Sequence, residues 1–312
     1  MWRYIEMVTP ILKWAGGKRQ LLDELQQRFP EGYDISENTY HEPFFGSGAL
    51  FFELEPSRAT INDLNTRLHN FYIQVRNRPN SLIETCRQFE DPTSDPDPEK
   101  PHSDEENYYY QHRKLFNRRP RGEDVDPLEE AALLLYLNRT CFNGLYRENK
   151  TGEFNVPIGD YNDPDWVRAE EIRNASEVLT ELPEKNIHNE NFDYVLEVAD
   201  AGDLVYFDPP YEPMSPTAEF AEYSAGGFDR EDQESLLEVA QELDENGVHV
   251  ILSNSGVMYD FYDEACFYVE TEGATRAINS DGDNRGTVDE IIATNVDPEQ
   301  QQDHGPRTLS DF

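Results

Sequence analysis

Short apolar runs alternate with amphipathic stretches along most of the chain. Asn38 to Phe44 reads as a short strand ended by Gly46 and Gly48, with a helix following over Ala49–Leu54. Ala59–Ile61 reads as a second strand closing on Asp63, and Thr66–Arg76 as the next helix, which completes one β-α-β unit. The pattern returns later as a helix over Val167–Leu182, a buried strand Leu204–Phe207, a helix over Arg230–Leu243 and a buried strand Val248–Leu252. Two last strands, Phe267–Ile278 and Thr287–Asn295, flank a turn at Ser280–Asn284. Strands separated by helices predict a mostly parallel sheet covered on both faces, the α/β class.

Between about residues 77 and 165 this alternation breaks. Asp91 to Asn107 is rich in Pro and acids and reads as a solvated loop. A basic helix, Tyr108 to Arg119, and an apolar one, Leu128 to Asn138, follow it. The Gly- and Asn-rich stretch Arg139 to Gly159 suits a β-hairpin. The expected organisation is a main domain over 1–76 and 166–297, an insertion over 77–165, and a disordered polar tail over 298–312.

Charge changes the picture. The 312 residues carry a formal net charge of −38, and only six of the 26 basic residues are lysine. Acid excess with few lysines suits a protein that stays dissolved in molar salt, where surface repulsion is screened within a few ångström. A halophilic origin is the preferred reading, and an acidic mesophilic protein the alternative. Cys86, Cys141 and Cys266 are odd in number and widely spaced, so neither a disulfide framework nor a zinc site is expected. The amino-terminal MWRYIEMVTP has no long apolar core, and the longest apolar run, Ala131–Leu137, is too short to span a bilayer. A soluble, cytoplasmic protein is expected.

Three motifs carry chemistry. Asp208-Pro209-Pro210-Tyr211 directly follows the apolar strand, at the carboxyl end where open α/β sheets bind ligands. The Asp208 carboxylate and Pro209 carbonyl could accept two N–H groups of a planar amine. Consecutive prolines fix those acceptors in advance, and Tyr211 offers a ring on which an extruded base can stack. An ordinary Asp-Pro turn is the plain alternative. Glu42-Pro43-Phe44-Phe45-Gly46-Ser47-Gly48 ends the first strand, and Asp63 ends the second, where an acid suits ribose hydroxyls. GxGxxG is absent, against nicotinamide chemistry, although FxGxG could be only a tight turn. Leu12-Lys13-Trp14-Ala15-Gly16-Gly17-Lys18 lacks the upstream glycine of a phosphate loop, but Trp14 and Lys18 could pack on a nucleoside.

Together, and in this order, the motifs resemble the adenine-specific DNA methyltransferases of the Dam type, over roughly residues 11 to 295. The insertion shares in the resemblance through Tyr136-Leu-Asn-Arg139, Phe142-Asn143-Gly144-Leu145, Arg147 and Gly152-Glu-Phe-Asn-Val-Pro157. So do Phe220 and Tyr223 after DPPY, Ser253-Asn254, and Arg276 through Glu290. The resemblance implies a Rossmann-like S-adenosylmethionine-dependent methyltransferase sheet with an inserted, mostly helical target-recognition domain carrying a β-hairpin. It implies S-adenosyl-L-methionine as cofactor, held by Trp14, Lys18, Glu42, Phe45, Gly46, Gly48, Asp63 and Asp208. Asp208, Pro209 and Tyr211 would be catalytic, holding a flipped adenine for direct in-line transfer to N6. The partner is double-stranded DNA, with no metal, no membrane and a monomeric state. Aspartate at the first DPPY position suits adenine rather than cytosine N4, protein glutamine or RNA.

DNA contacts are expected from the hairpin residues Arg139, Phe142, Asn143, Leu145 and Arg147, from Asn149, Asn155 and Pro157, and from the late arginines Arg276 and Arg285. Arg147 is the sharpest of these, since bidentate arginine to guanine is the commonest specific base contact. The basic island His112 to Arg121 could touch phosphates or could be a solvated helix balancing the acidic loop. Where the family tends to have basic residues, this chain has Asp160-Tyr-Asn-Asp163 and Arg285-Gly286-Thr287. The retained hairpin core favours GATC as the target. A catalytically silent DNA-binding regulator and an RNA or protein N-methyltransferase are the alternatives.

Overall fold

The computed structural model describes residues 8–14, 18, 21–89, 108–161, 164–211, 228–275 and 287–302. Seven strands form one sheet: β1 Tyr40–Glu42, β2 Ala59–Asn62, β3 Ile187–His188, β4 Leu204–Phe207, β5 His249–Ser255, β6 Tyr268–Thr275 and β7 Thr287–Thr294. Their spatial order is β3-β2-β1-β4-β5-β7-β6. The first five pair in parallel, and β7 runs antiparallel between β5 and β6. The chain steps outward from β1 to β2 and β3, then returns to place β4 on the other side of β1. That reversal falls between β1 and β4, and doubly wound sheets bind ligands outside the carboxyl ends of the strands at such a switch point.

Strand burial follows the two-sided covering. Leu204 and Tyr206 face one apolar cluster with Tyr40, Ile61 and Ile251, whereas Val205 and Phe207 face another with Val250, Leu252 and Ile291. A strand buried on both faces reads as a continuous apolar run, as LVYF does. Around the sheet lie α1 Leu22–Gln27, α2 Ala49–Leu54, α3 Thr66–Asn77, α7 Ala169–Glu181, α8 Val195–Val198, α9 Arg230–Glu245 and α10 Tyr259–Asp263. Asn65 caps α3 by accepting from Arg67 N and Leu68 N, and Asp229 closes a capping box on α9.

Residues 77–165 contribute α4 Pro79–Gln88, α5 Tyr108–Phe116 and α6 Pro127–Thr140. Ala131 to Asn138 of α6 are all buried, so this helix is apolar around its circumference and sits at the centre of the helical layer. Its side chains share one apolar cluster with the β1 and β4 face of the sheet. The expected hairpin is a loose one. Phe142 N donates to Pro157 O at 2.9 Å, Asn155 N to Arg147 O at 3.0 Å and Asn149 N to Glu153 O at 2.9 Å. Only the isolated bridges Cys141↔Ile158 and Glu148↔Phe154 join its arms.

Several expectations need correction. The first strand stops at Glu42, because Pro43 has no N–H to continue the ladder. The basic helix stops at Phe116 and gives way to a 3-10 turn over Arg119–Arg121, since Pro120 has no N–H to donate to the Phe116 carbonyl. Past Val296 the chain is ordered through Gln302, with a 3-10 turn at Pro298–Gln300 and a bridge between Gln301 and Pro30. The acidic loop 91–107, Gly16, Gly17, Asp163, Phe220, Tyr223, Arg276, the turn 280–284 and Arg285 lie outside the described residues.

Candidate active site at the carboxyl ends of β1 and β4

Asp208 leaves β4 with its carboxylate mostly buried, and residues from three distant parts of the chain converge on it. Lys18 Nζ lies 3.1 Å from Asp208 Oδ1, and Ser253 Oγ, from β5, donates to the same oxygen at 2.9 Å. Lys18 also meets the Tyr211 hydroxyl, and its Nζ lies 3.3 Å from Glu290 Oε2 on β7. The Tyr211 hydroxyl donates to that same Glu290 oxygen at 3.1 Å. Burial pushes the Asp208 carboxyl above its ordinary range, Lys18 and Ser253 pull it back, and Glu290 adds to the rise. Behind the prolines, the buried Gln233 of α9 reaches the Pro210 carbonyl at 3.4 Å, and Asn254 Nδ2 donates to Gln233 Oε1 at 3.0 Å.

Ser253, Glu290 and Gln233 carry no role in the sequence reading. The first two lie within matched motifs, but no spacing signals that β5 and β7 deliver them to Asp208.

The β1 loop is shaped by two left-handed glycines. Gly46 has φ +51°, and a Cβ there would come within 2.8 Å of Trp14 Cδ1. Gly48 has φ +66°, and its Cβ would strike the Phe45 ring at 2.5 Å. Phe45 is buried against Phe51, Phe52 and Tyr72, so it serves the core beneath the loop. Asp63 accepts from Gly46 N at 3.0 Å and Asn65 N at 2.8 Å, and burial lifts it to about 6 against these bonds. Glu42 is buried, accepts from the Tyr40 hydroxyl at 2.7 Å, and is pushed up to about 8, chiefly by burial.

Both acids are raised, so their protonated forms favour the fold; that contribution is complete at acid pH and is lost as pH climbs through 6 and then 8. The melting temperature of the ligand-free protein is therefore expected to fall over this window. Glu42→Gln should flatten the upper part of the curve, and a variant melting profile parallel to wild type above neutrality would refute the assignment.

The hairpin packs against the segment that carries Lys13 and Trp14. Trp14 stacks on Tyr146 with ring centroids 5.1 Å apart, and Asn138 clamps the Lys13 backbone by accepting from its N at 2.8 Å and donating to its O at 2.7 Å. Arg67 of α3 pairs with Glu148 at 3.1 Å. Among the expected DNA contacts, Phe142 and Pro157 are exposed, Arg147 and Asn143 are half-buried, and Leu145 is buried. Arg139 is half-buried, and its Nε has no hydrogen-bond partner among the described residues.

Asn149 and Asn155 work inside the hairpin. Asn149 Oδ1 accepts from Thr151 N at 2.9 Å and Glu153 N at 3.0 Å, fixing the turn. Asn155 Oδ1 accepts from Arg147 Nε at 2.6 Å. Much of the basic island is neutralised within the insertion, with Arg119 Nη2 on Glu130 at 2.6 Å, Arg121 on Glu153 at 2.7 Å and Arg118 on Glu123 at 3.5 Å. An open groove of about 630 Å³ separates α5 from the hairpin, lined by Arg113, Lys114, Asn117, Arg121, Asn149 and Asn155 among others.

Residues 14–278 match the model of the D12 class N6 adenine-specific DNA methyltransferases. The chain belongs to that family. It is 40% identical to a type II methyltransferase of Lactococcus lactis subsp. cremoris over 290 residues, covering 92% of this chain and 95% of the relative. A type II methyltransferase of Methanocaldococcus jannaschii is 37% identical, covering 89% of this chain and 95% of that one. The DNA adenine methylase of Escherichia coli is 35% identical, covering 90% and 93%.

Family membership sets the RNA and protein N-methyltransferase alternatives aside. The seven-stranded mixed sheet is that of the Rossmann-like methyltransferases expected from the resemblance. No helix among the described residues of this methyltransferase is long and apolar enough to cross a membrane. Nor do those residues contain a cluster of three potential metal ligands.

Proposed function

We propose that this methyltransferase transfers the methyl group of S-adenosylmethionine to N6 of a flipped adenine in duplex DNA, at GATC. The observation that carries the reading is the Asp208 cluster: a buried carboxylate held by Lys18 and Ser253 through one oxygen, Oδ1, beside the backbone of two prolines. The residues at the carboxyl ends of β1 and β2 also suit the nucleoside half of the cofactor. The left-handed glycine loop brings backbone close, and the Asp63 carboxylate accepts only backbone N–H groups among the described residues, so its remaining lone pairs suit ribose hydroxyls.

When bound, S-adenosylmethionine supplies an electrophilic methyl on a sulfonium that leaves as a neutral thioether. The protein's task is then positioning. Asp208 Oδ2 and the Pro209 carbonyl accept the two amine hydrogens, which favours a pyramidal nitrogen with its lone pair available. Lys18 and Ser253 keep Asp208 ionised, so that it accepts and does not donate. Tyr211, its hydroxyl fixed by Glu290, presents its ring to the extruded base. The intact cluster favours an active enzyme over a silent regulator.

In the hairpin, Arg147 anchors Nε on Asn155, which leaves the Nη1–Nη2 edge for a guanine. Arg113 and Lys114, at the groove, take phosphates, while Arg118, Arg119 and Arg121 are committed to acids. Single-molecule sequencing of DNA treated with the purified enzyme tests the reading, and N6-methyladenine confined to GATC is expected. Modification of another base, or none, overturns it. In the same assay Arg147→Ala should relax one guanine position, because a bidentate contact is worth about 1–3 kcal/mol of discrimination. A uniform loss across all sequences would show that Arg147 touches only phosphate.

A further inference from the structure

Among the described residues, three charged side chains meet at the active site, and their charges do not cancel. Lys18, 3% exposed, lies between two carboxylates, 3.1 Å from Asp208 and 3.3 Å from Glu290. Glu290 is itself 6% exposed and takes the Tyr211 hydroxyl at 3.1 Å. Among the described residues no second lysine or arginine pairs with either acid. Glu42 is pushed up to about 8, chiefly by burial with the Asp208 charge adding to it, and mostly keeps its proton at neutral pH. Among the described residues one cation therefore serves two buried acids. Burying an unbalanced charge is costly, and a glutamine at this position could hold Tyr211 without the surplus. A carboxylate there makes sense if a cation is to arrive.

We propose that Glu290 supplies the unbalanced negative charge by which the site binds a cationic sulfonium cofactor more tightly than its neutral thioether product. This rests on the methyl-donor reading above. Asp208 is balanced by Lys18, so the surplus belongs to Glu290, and the acceptor amine bound at Asp208 requires the sulfonium to lie close by. Selective loss of attraction once the methyl has left assists product release. Unit charges several ångström apart in a partly buried site interact strongly enough for roughly a tenfold effect on relative affinity.

Isothermal titration of the purified full chain with S-adenosylmethionine and with S-adenosylhomocysteine tests this without turnover. Glu290→Gln is expected to lower the ratio of the two affinities roughly tenfold, through weaker sulfonium binding, while Glu290→Asp preserves it. An unchanged ratio in Glu290→Gln, or equal weakening of both ligands, overturns the inference and leaves the proposed function standing. A wild type that binds neither ligand overturns the methyl-donor reading, and this inference with it. If Glu290→Gln does not fold, wild-type binding of an analogue with an amine in place of the sulfonium decides the matter. Tighter binding of the protonated form is expected, and equal binding of the protonated and neutral forms refutes the charge role.

Discussion

Asp208→Ala is expected to lower methyl transfer at least about a hundredfold, the loss typical of deleting one preorganised group that acts on the reacting centre. The fold should survive, for a reason visible in the hydrogen bonding. Without the Asp208 carboxylate, Lys18 still has Glu290 at 3.3 Å, and Ser253 still has the Tyr206 hydroxyl at 3.0 Å. No buried polar group is stranded, so the large penalty for an unmade bond does not arise. A tritiated-methyl assay paired with a thermal melt separates the two effects: turnover collapses while the melting temperature barely moves. Near-wild-type turnover would remove Asp208 from the mechanism. Burial and Glu290 also raise the Asp208 carboxyl, so protonation sets in earlier on acidification than for an ordinary aspartate, and wild-type activity should show an acid limb that follows it.

How much of this was legible in the chain depends on how local each signal is. Ala49–Leu54 and Leu204–Phe207 fall where the apolar pattern puts them, because a helix behind a glycine turn and a strand buried on both faces are decided by adjacent residues. Asp208 at the carboxyl end of β4 follows directly. β3 was not legible, since Ile187–His188 is two residues long and exists only by pairing with β2. Helix α4 carries no expectation from the sequence, although Pro79 stands in its first turn, where proline is well placed. Ser253 and Glu290 reach Asp208 from strands far along the chain, and only the sheet order brings them there. The hairpin asparagines also have structural tasks that the sequence did not signal. Their side chains suit base edges, but Asn149 closes a turn and Asn155 holds Arg147. For the basic island the sequence left phosphate contacts and a solvated helix both open, and Glu123, Glu130 and Glu153 answer three of its arginines.

That neutralisation sharpens what the charge balance predicts for salt. Each phosphate contact steepens the fall of log affinity with log salt by about 0.9. With Arg118, Arg119 and Arg121 committed to acids and Asp160 where the family tends to have a basic residue, few contacts remain, and DNA binding should show a shallow slope. A net charge of −38 also repels both itself and the duplex when screening is weak. Molar salt shortens the screening length to about 3 Å and removes both penalties, so the fold should tighten and activity should persist where ordinary DNA-binding proteins are released. Circular dichroism and methyl transfer followed together across a potassium chloride series give the outcome. Folding and activity that rise towards molar salt support adaptation to a saline interior. An enzyme fully folded and most active at about 50 mM salt, failing above about 0.5 M, would mean that ordinary phosphate contacts dominate and that the acidic surface has another cause.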